Sequence, residues 1–343
     1  MKPVFIGIEG PHLTPQEKIL FKEVNPAGYI LFQRNITNRI QLRNLTDMLH
    51  DISGWNIPIL IDQEGGRVAR MRPPIWPSFP AAGCFDALYQ KAPMTAIEAV
   101  RANTTALAYL LQDVGINVDC MPLLDIRDPK GHNIIGDRSF SDNPEQVAAL
   151  GQAALDGLAT GGICGVIKHI PGHGQAQVDS HKMLPIVEAT LTILERDIIP
   201  FQRLKSAKMA MTAHVIYTEW DKRNCATYSP FVICKIIRQK IGFEGLLMSD
   251  DIGMEALEGD AVTRATRVLK AGCDVVLHCS GQYEEMHNIL YAIDDISSEA
   301  SNRLQQATAS FKPIDFNFDK PEDKAHFDGL IAKRDALLRV GSI

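Results

Sequence analysis

The sequence predicts one (β/α)8 barrel followed by a short helical extension, and three observations carry that reading. Short apolar, β-branched runs recur eight times between residues 4 and 277. Helical patterns lie between most of them. The first run leads into Gly10-Pro11-His12 rather than a glycine-rich phosphate turn. Eight strands with intervening helices are what a closed barrel requires, whereas a doubly wound open sheet needs fewer strands and usually has that turn.

The strand-like runs are Val4–Glu9, Gly28–Phe32, Ile57–Ile61, Ile116–Leu124, Cys164–Ile167, Met209–Ala213, Leu246–Met248 and Val275–Leu277. They are apolar on both faces rather than alternating, as buried parallel strands are. The clearest helix runs from Met94 to Gly115, with an apolar stripe at helical spacing and a terminal glycine. Further helices are expected over Asn143–Thr160, Thr190–Lys205, Ser229–Ile241, Ala261–Ala271 and Tyr283–Asp295. Ser229-Pro230 sets a capping hydroxyl before a proline suited to a first helical position. Residues 1–300 form the expected barrel. Residues 301–343, with helices over Ser301–Phe311 and Lys324–Arg339, are too few for a second domain and are expected to pack on it.

Composition narrows the function. Of 343 residues, 35 are Lys or Arg and 41 Asp or Glu, a net charge of −6. This balance argues against nucleic-acid and polybasic membrane binding. No apolar run reaches the roughly 18 residues of a membrane span, and an acid at Glu9 interrupts the N-terminus too early for a secretion signal. The expected location is cytoplasmic. Seven cysteines with no CxxC pair read as reduced core thiols rather than a zinc cluster.

Catalytic groups of such a barrel sit at the C-terminal ends of its strands. Those ends carry Asp62-Gln63-Glu64-Gly65-Gly66-Arg67 through Arg70; Gly136-Asp137-Arg138; Lys168-His169-Ile170-Pro171-Gly172-His173-Gly174; Thr212-Ala213-His214; and Ser249-Asp250-Asp251. Each fragment also has an ordinary structural reading. The glycines after Glu64 would make a turn, His214 would be a hydrogen-bonded core histidine, Asp251 would cap the next helix, and His173 would be an idle loop residue. Ionisable groups at five consecutive strand–loop junctions are harder to place that way, because unpaired buried charge is costly.

Arg and Lys beside His and Asp can grip several hydroxyls, as a sugar demands. A carboxylate at a strand end suits attack on an anomeric carbon, whose transition state is cationic. A histidine can replace the usual second carboxylic acid as proton donor, and Asp179, two residues before His181, could orient its imidazole. The rival is metal-assisted hydrolysis, for which His169, His173, His181, His214 and Asp250 offer ligands. The H-x-H pair usual at the first strand of a barrel amidohydrolase is absent, Glu9-Gly10-Pro11-His12 standing there instead.

At Asp62–Val68, Lys168–Gly174 with Asp179-Ser180-His181, and Ser249–Met254, the sequence resembles the family 3 glycoside hydrolases, in the bacterial branch of single-domain β-N-acetylglucosaminidases. The resemblance extends over roughly residues 1 to 300. It implies that Asp250 is the nucleophile, His181 the acid/base and Asp179 the partner of that histidine. Asp62, Arg70, Arg138, Lys168 and His169 would hold the N-acetylglucosamine ring. It further implies a monomer acting on peptidoglycan fragments, with no cofactor and no metal. Many family members lend the acid from a second α/β domain; here it must come from within the barrel. Ile170 stands where Phe is commonest, and Ile252-Gly253 where Leu-Ser or Leu-Gly is usual. A phosphorylase using the same residues and a non-catalytic sugar-binding protein stay open.

Overall fold

The computed structural model describes residues 1–179 and 183–341. Eight parallel strands close a barrel: β1 (Lys2–Gly7), β2 (Pro26–Leu31), β3 (Ile59–Ile61), β4 (Val118–Asp119), β5 (Cys164–Ile170), β6 (Met209–Thr212), β7 (Leu246–Asp251) and β8 (Val275–His278). Neighbours in sequence are neighbours in the barrel. The ring closes where β8 pairs with β1, Val4 opposite Val276 and Ile6 opposite His278.

The doubly apolar runs are explained by two cores. Phe5, Ile30, Leu60, Val166, Met209 and Leu246 fill the lumen, while the alternate residues of the same strands meet the helices outside. Fully burying side chains of this size contributes about 1.5–3 kcal/mol each.

The helices are α1 (Pro15–Val24), α2 (Arg39–Ser53), α3 (Asp86–Lys91), α4 (Pro93–Asp113), α5 (Pro144–Thr160), α6 (Leu191–Asp197), α7 (Ile199–Arg203), α8 (Ala261–Ala271), α9 (Tyr283–Ala292), α10 (Ser298–Thr308) and α11 (Pro321–Gly341). Local chemistry starts them. Thr14 and Glu17 form a reciprocal capping box ahead of Pro15, and the Asn143 side chain accepts from two backbone N–H groups at the start of α5. Leu304 and Ala307 of α10, with Phe311 beyond it, join the lumen cluster and plug the barrel. α11 lies against α3 and α4. No described helix is long and apolar enough to cross a membrane.

Several boundaries differ from the sequence reading. The expected helix over 190–205 divides into α6 and α7 around Pro200, which lacks the N–H and crowds the preceding turn. The fourth strand is confined to two residues because Pro122 cannot donate to a ladder. The segment after Ser229 is wound as a π-helix over Val232–Ile241, with Ser229 Oγ accepting the Val232 N–H. Asp251 does not cap the helix after β7; Asp260 does, accepting the Thr263 N–H at 2.7 Å. A two-stranded ladder, Ile186–Val187 with Ile216–Tyr217, was not anticipated.

Candidate active site

The third strand turns sharply after Ile61, and Gln63 holds the turn. Its Oε1 accepts the N–H groups of Arg70 and Met71 at 2.8 and 2.9 Å, and its Nε2 donates to the Met71 carbonyl. Gly65 has φ +97°, and a Cβ there would stand 2.4 Å from the Pro80 carbonyl oxygen, so only glycine fits. The turn thereby folds Arg70 back over Asp62, with Arg70 Nη2 donating to Asp62 Oδ2 at 2.9 Å.

Lys168, at the end of β5, is 2 % exposed and lies between two acids. Its Nζ is 2.9 Å from Asp62 Oδ1 and 2.7 Å from Glu64 Oε1. Arg138 forks onto Glu64 through Nε and Nη2, at 2.9 and 2.8 Å. A buried ammonium loses several kcal/mol of hydration, which two carboxylates at contact distance can offset. Burial alone would raise the pKa of Asp62 and Glu64, but the facing cations hold both carboxyls below their ordinary range. Burial likewise works against the Lys168 ammonium, and the two acids outweigh it.

His169 follows on the same strand. Asp125, fully buried, accepts its Nδ1 at 2.7 Å and the backbone N–H groups of His169 and His173. Burial opposes the Asp125 charge, yet the histidines hold its carboxyl down at about 2. A carboxylate only accepts, so Nδ1 of His169 carries hydrogen and Nε2 faces Asp250 Oδ2, 4.0 Å away. His173 is buried; that burial and the neighbouring His169 lower it to about 4.

Asp250 reaches the same space from the end of β7. Its Oδ1 accepts the Asp251 N–H at 2.8 Å. Burial opposes its charge, but His169, His214, the Asp251 amide and Lys168 together hold it below the usual carboxylate range. It is an ionised acid beside a histidine.

Asp62, Arg70, Arg138, Lys168, His169 and Asp250 all line one cavity of about 250 Å³ at the barrel mouth. Ile30, Met211 and Leu277 line it as well, and Phe32 lies beneath the Arg70 guanidinium at 5.3 Å. Arg70 Nε is buried there without a hydrogen-bond partner, a donor left for a ligand oxygen. Asp179 lies on the loop after β5, half-buried, its carbonyl accepting the Met183 N–H; it is not among the residues lining the cavity. His181 lies outside the described residues. Among the described residues no three His, Cys, Asp or Glu side chains are grouped to hold a metal ion.

A family model, "Glycosyl hydrolase family 3 N terminal domain", matches residues 11–310. The chain belongs to glycosyl hydrolase family 3. A β-hexosaminidase of Bordetella avium is 37% identical over 283 residues, 81% of this chain and 80% of its own. That of Actinobacillus succinogenes is 35% identical over 93% of this chain and 92% of its own. The structure of NagZ from Neisseria gonorrhoeae in complex with N-trifluoroacetyl-D-glucosamine is 31% identical, covers 99% of this chain and 98% of that one, and superposes with a TM-score of 0.84.

Three acids of this family 3 barrel had drawn no role from the sequence. Glu64 reads in sequence as part of a turn, although it stands two residues from Asp62. Asp125 ends the apolar run over 116–124, the same place in a strand that marked the others. Asp119 gave no signal, since an acid inside an apolar run looks like an interruption. It is fully buried, its Oδ1 accepting the Gln63 N–H at 3.0 Å and its Oδ2 left without a partner. Burial pushes its carboxyl up to about 8, so the folded state keeps a proton that the unfolded chain releases near pH 4. The contribution of Asp119 to stability therefore falls as pH rises from about 4 to 8. Asp119→Asn, which keeps the acceptor for Gln63, is expected to raise Tm by several degrees at pH 8 and by progressively less towards pH 4. Thermal unfolding across that range checks it; a constant difference would show that ionisation of Asp119 is not the cause.

Proposed function

We propose that the protein is a retaining exo-β-N-acetylglucosaminidase that removes terminal N-acetylglucosamine from peptidoglycan fragments in the cytoplasm. The observation carrying this reading is Asp250: a partly buried carboxylate at a strand end, ionised, with one oxygen on the Asp251 amide and the other on the side of His169, in the cavity lining. Such a group can bond to an anomeric carbon whose developing positive charge it stabilises.

The rest of the cavity supports sugar binding. Asp62 and the two cations against it present acceptors and donors side by side, suited to vicinal hydroxyls, and His169 Nε2 adds a further group at the nucleophile's edge. These ions are already paired, so they are oriented before a sugar arrives and need little reorganisation. The names of the β-hexosaminidases and the aminosugar bound by the Neisseria protein support an N-acetylhexosamine as the substrate.

In the first step Asp250 bonds to C1 as the bond to the aglycone oxygen breaks, and that oxygen takes a proton from His181. In the second step water bonds to C1, returns its proton to His181, and the bond to Asp250 breaks. Asp179, two residues away, orients the imidazole. His181→Ala is expected to lose about 10²–10⁴-fold in kcat on substrates with basic leaving groups. The loss should be far smaller on activated aryl N-acetylglucosaminides, which leave without a proton. Parallel kinetics on the two substrates check this; equal losses would remove His181 from the acid/base role.

A further inference from the structure

The residue after the nucleophile is held from three sides. The Asp251 carbonyl accepts His214 Nε2 at 3.0 Å. Asp251 Oδ1 accepts the N–H groups of Gly253 and Cys279 at 2.9 and 3.1 Å. Its own N–H is thereby aimed at Asp250 Oδ1.

His214 is fully buried, and that burial lowers its pKa, which favours the neutral ring. A carbonyl only accepts, which places the hydrogen on Nε2. Nδ1 must then accept, and the Thr227 hydroxyl lies 2.7 Å from it, with the Thr212 hydroxyl 2.8 Å further on. Thr227 Oγ1 also lies 3.1 Å from the Ala213 carbonyl, and these contacts together link β6 to the peptide beside Asp250.

We infer that His214 and Asp251 are positioning residues that occupy Oδ1 of Asp250 and leave Oδ2 as the oxygen that attacks the sugar. The inference rests on the reading of Asp250 as nucleophile. Oδ2 is the oxygen on the His169 side. It forms the bond to C1 as the bond from C1 to the aglycone oxygen breaks, the proton for that oxygen coming from the acid/base. In the ester so formed Oδ1 is the carbonyl oxygen and keeps its hydrogen bond to the Asp251 N–H. When water attacks C1, the electron pair returns to Oδ2.

The test compares His214→Leu, which lacks the donor, with His214→Gln, whose neutral side-chain amide can offer an N–H near the place of Nε2. H214L is expected to lose about 10²-fold in kcat, the effect of misplacing a reacting atom by about 1 Å, with little change in KM. The acid limb of its pH profile should move to higher pH, because a hydrogen bond favouring the charged carboxylate is weakened. Lys168 and His169 of β5, His173 of the following loop, Cys120 beside β4 and Cys279 beyond β8 also face Asp250 electrostatically, and all are retained in both variants. H214Q should recover at least tenfold of the loss and the wild-type acid limb. Glutamine carries no charge, so rescue assigns the effect to the donor. Thr227→Val, expected to fall about tenfold in kcat, makes the same test should H214L fail to fold. Wild-type kcat and pH profile in H214L, or equal losses without rescue in H214Q, would overturn the inference. Activity in Asp250→Asn would instead overturn the nucleophile reading on which it rests.

Discussion

Asp250→Asn is expected to lose on the order of 10⁴-fold or more in kcat, on activated aryl glycosides and on natural ones alike. An amide oxygen is neutral and a poor nucleophile, so the glycosyl–enzyme bond cannot form whatever the leaving group. This separates Asp250 from the acid/base, whose loss spares good leaving groups. The fold should survive the change. Asn keeps a carbonyl oxygen for the Asp251 N–H and nearly the same shape, so only the modest stabilisation from the groups that favour the charge is lost. Circular dichroism and Tm close to wild type, together with absent turnover, are the expected pair of results. Substantial residual turnover on an activated substrate would assign the attack elsewhere.

Lys168→Met is expected to have the largest effect on stability. The side chains are alike in length, but methionine leaves Asp62 with Arg70 alone and Glu64 with Arg138 alone, in a site where Lys168 is 2 % exposed. Removing one partner of a buried ion cluster costs about 3–5 kcal/mol. That corresponds to a fall in Tm of roughly 4–7 °C for a chain of this size. The deficit has a definite pH dependence. Asp62 and Glu64 have depressed folded-state values, so they contribute stability above their unfolded values near pH 4 and lose it as pH falls through the folded ones. The variant should therefore be weakest relative to wild type at neutral pH and converge with it on acidification. Thermal melts at pH 7 and at about pH 2 check this; a deficit unchanged between them would mean that packing, not charge, is what Lys168 supplies. Activity should fall too, since the site walls depend on this cation.

Much of the architecture was legible because buried parallel strands leave a strong apolar signature. The eight runs were long enough to find, and the barrel follows from their number and order. Boundaries were less legible, for local reasons. Pro122 and Pro200 stop elements that their apolar neighbours would have continued. The two-residue ladder strands near 186 and 216 are too short to carry a period. In the site, the residues facing the cavity were visible as polar groups at strand ends. What the sequence hid was their pairing. Nothing in the spacing of residues 62, 64, 138 and 168 says that they form one ion cluster, since only closure of the barrel brings them within 3 Å. Asp119 was hidden for the opposite reason: it is charged in sequence and neutral in the fold. His214 reads in sequence as a quiet core histidine, and it is buried and hydrogen-bonded; its link to the peptide next to Asp250 appears only once the Asp251 carbonyl is seen as its acceptor.

The proposed mechanism turns on a covalent bond between a sugar and the seventh-strand aspartate. It is tested most directly by incubating the enzyme with a 5-fluoro N-acetylglucosaminyl donor, which slows the second step, and mapping the labelled peptide by mass spectrometry. A single glycosyl adduct is expected on the peptide containing Asp250, and none in Asp250→Asn. An adduct on another residue would contradict it, as would turnover of that donor with inversion at the anomeric carbon and no adduct.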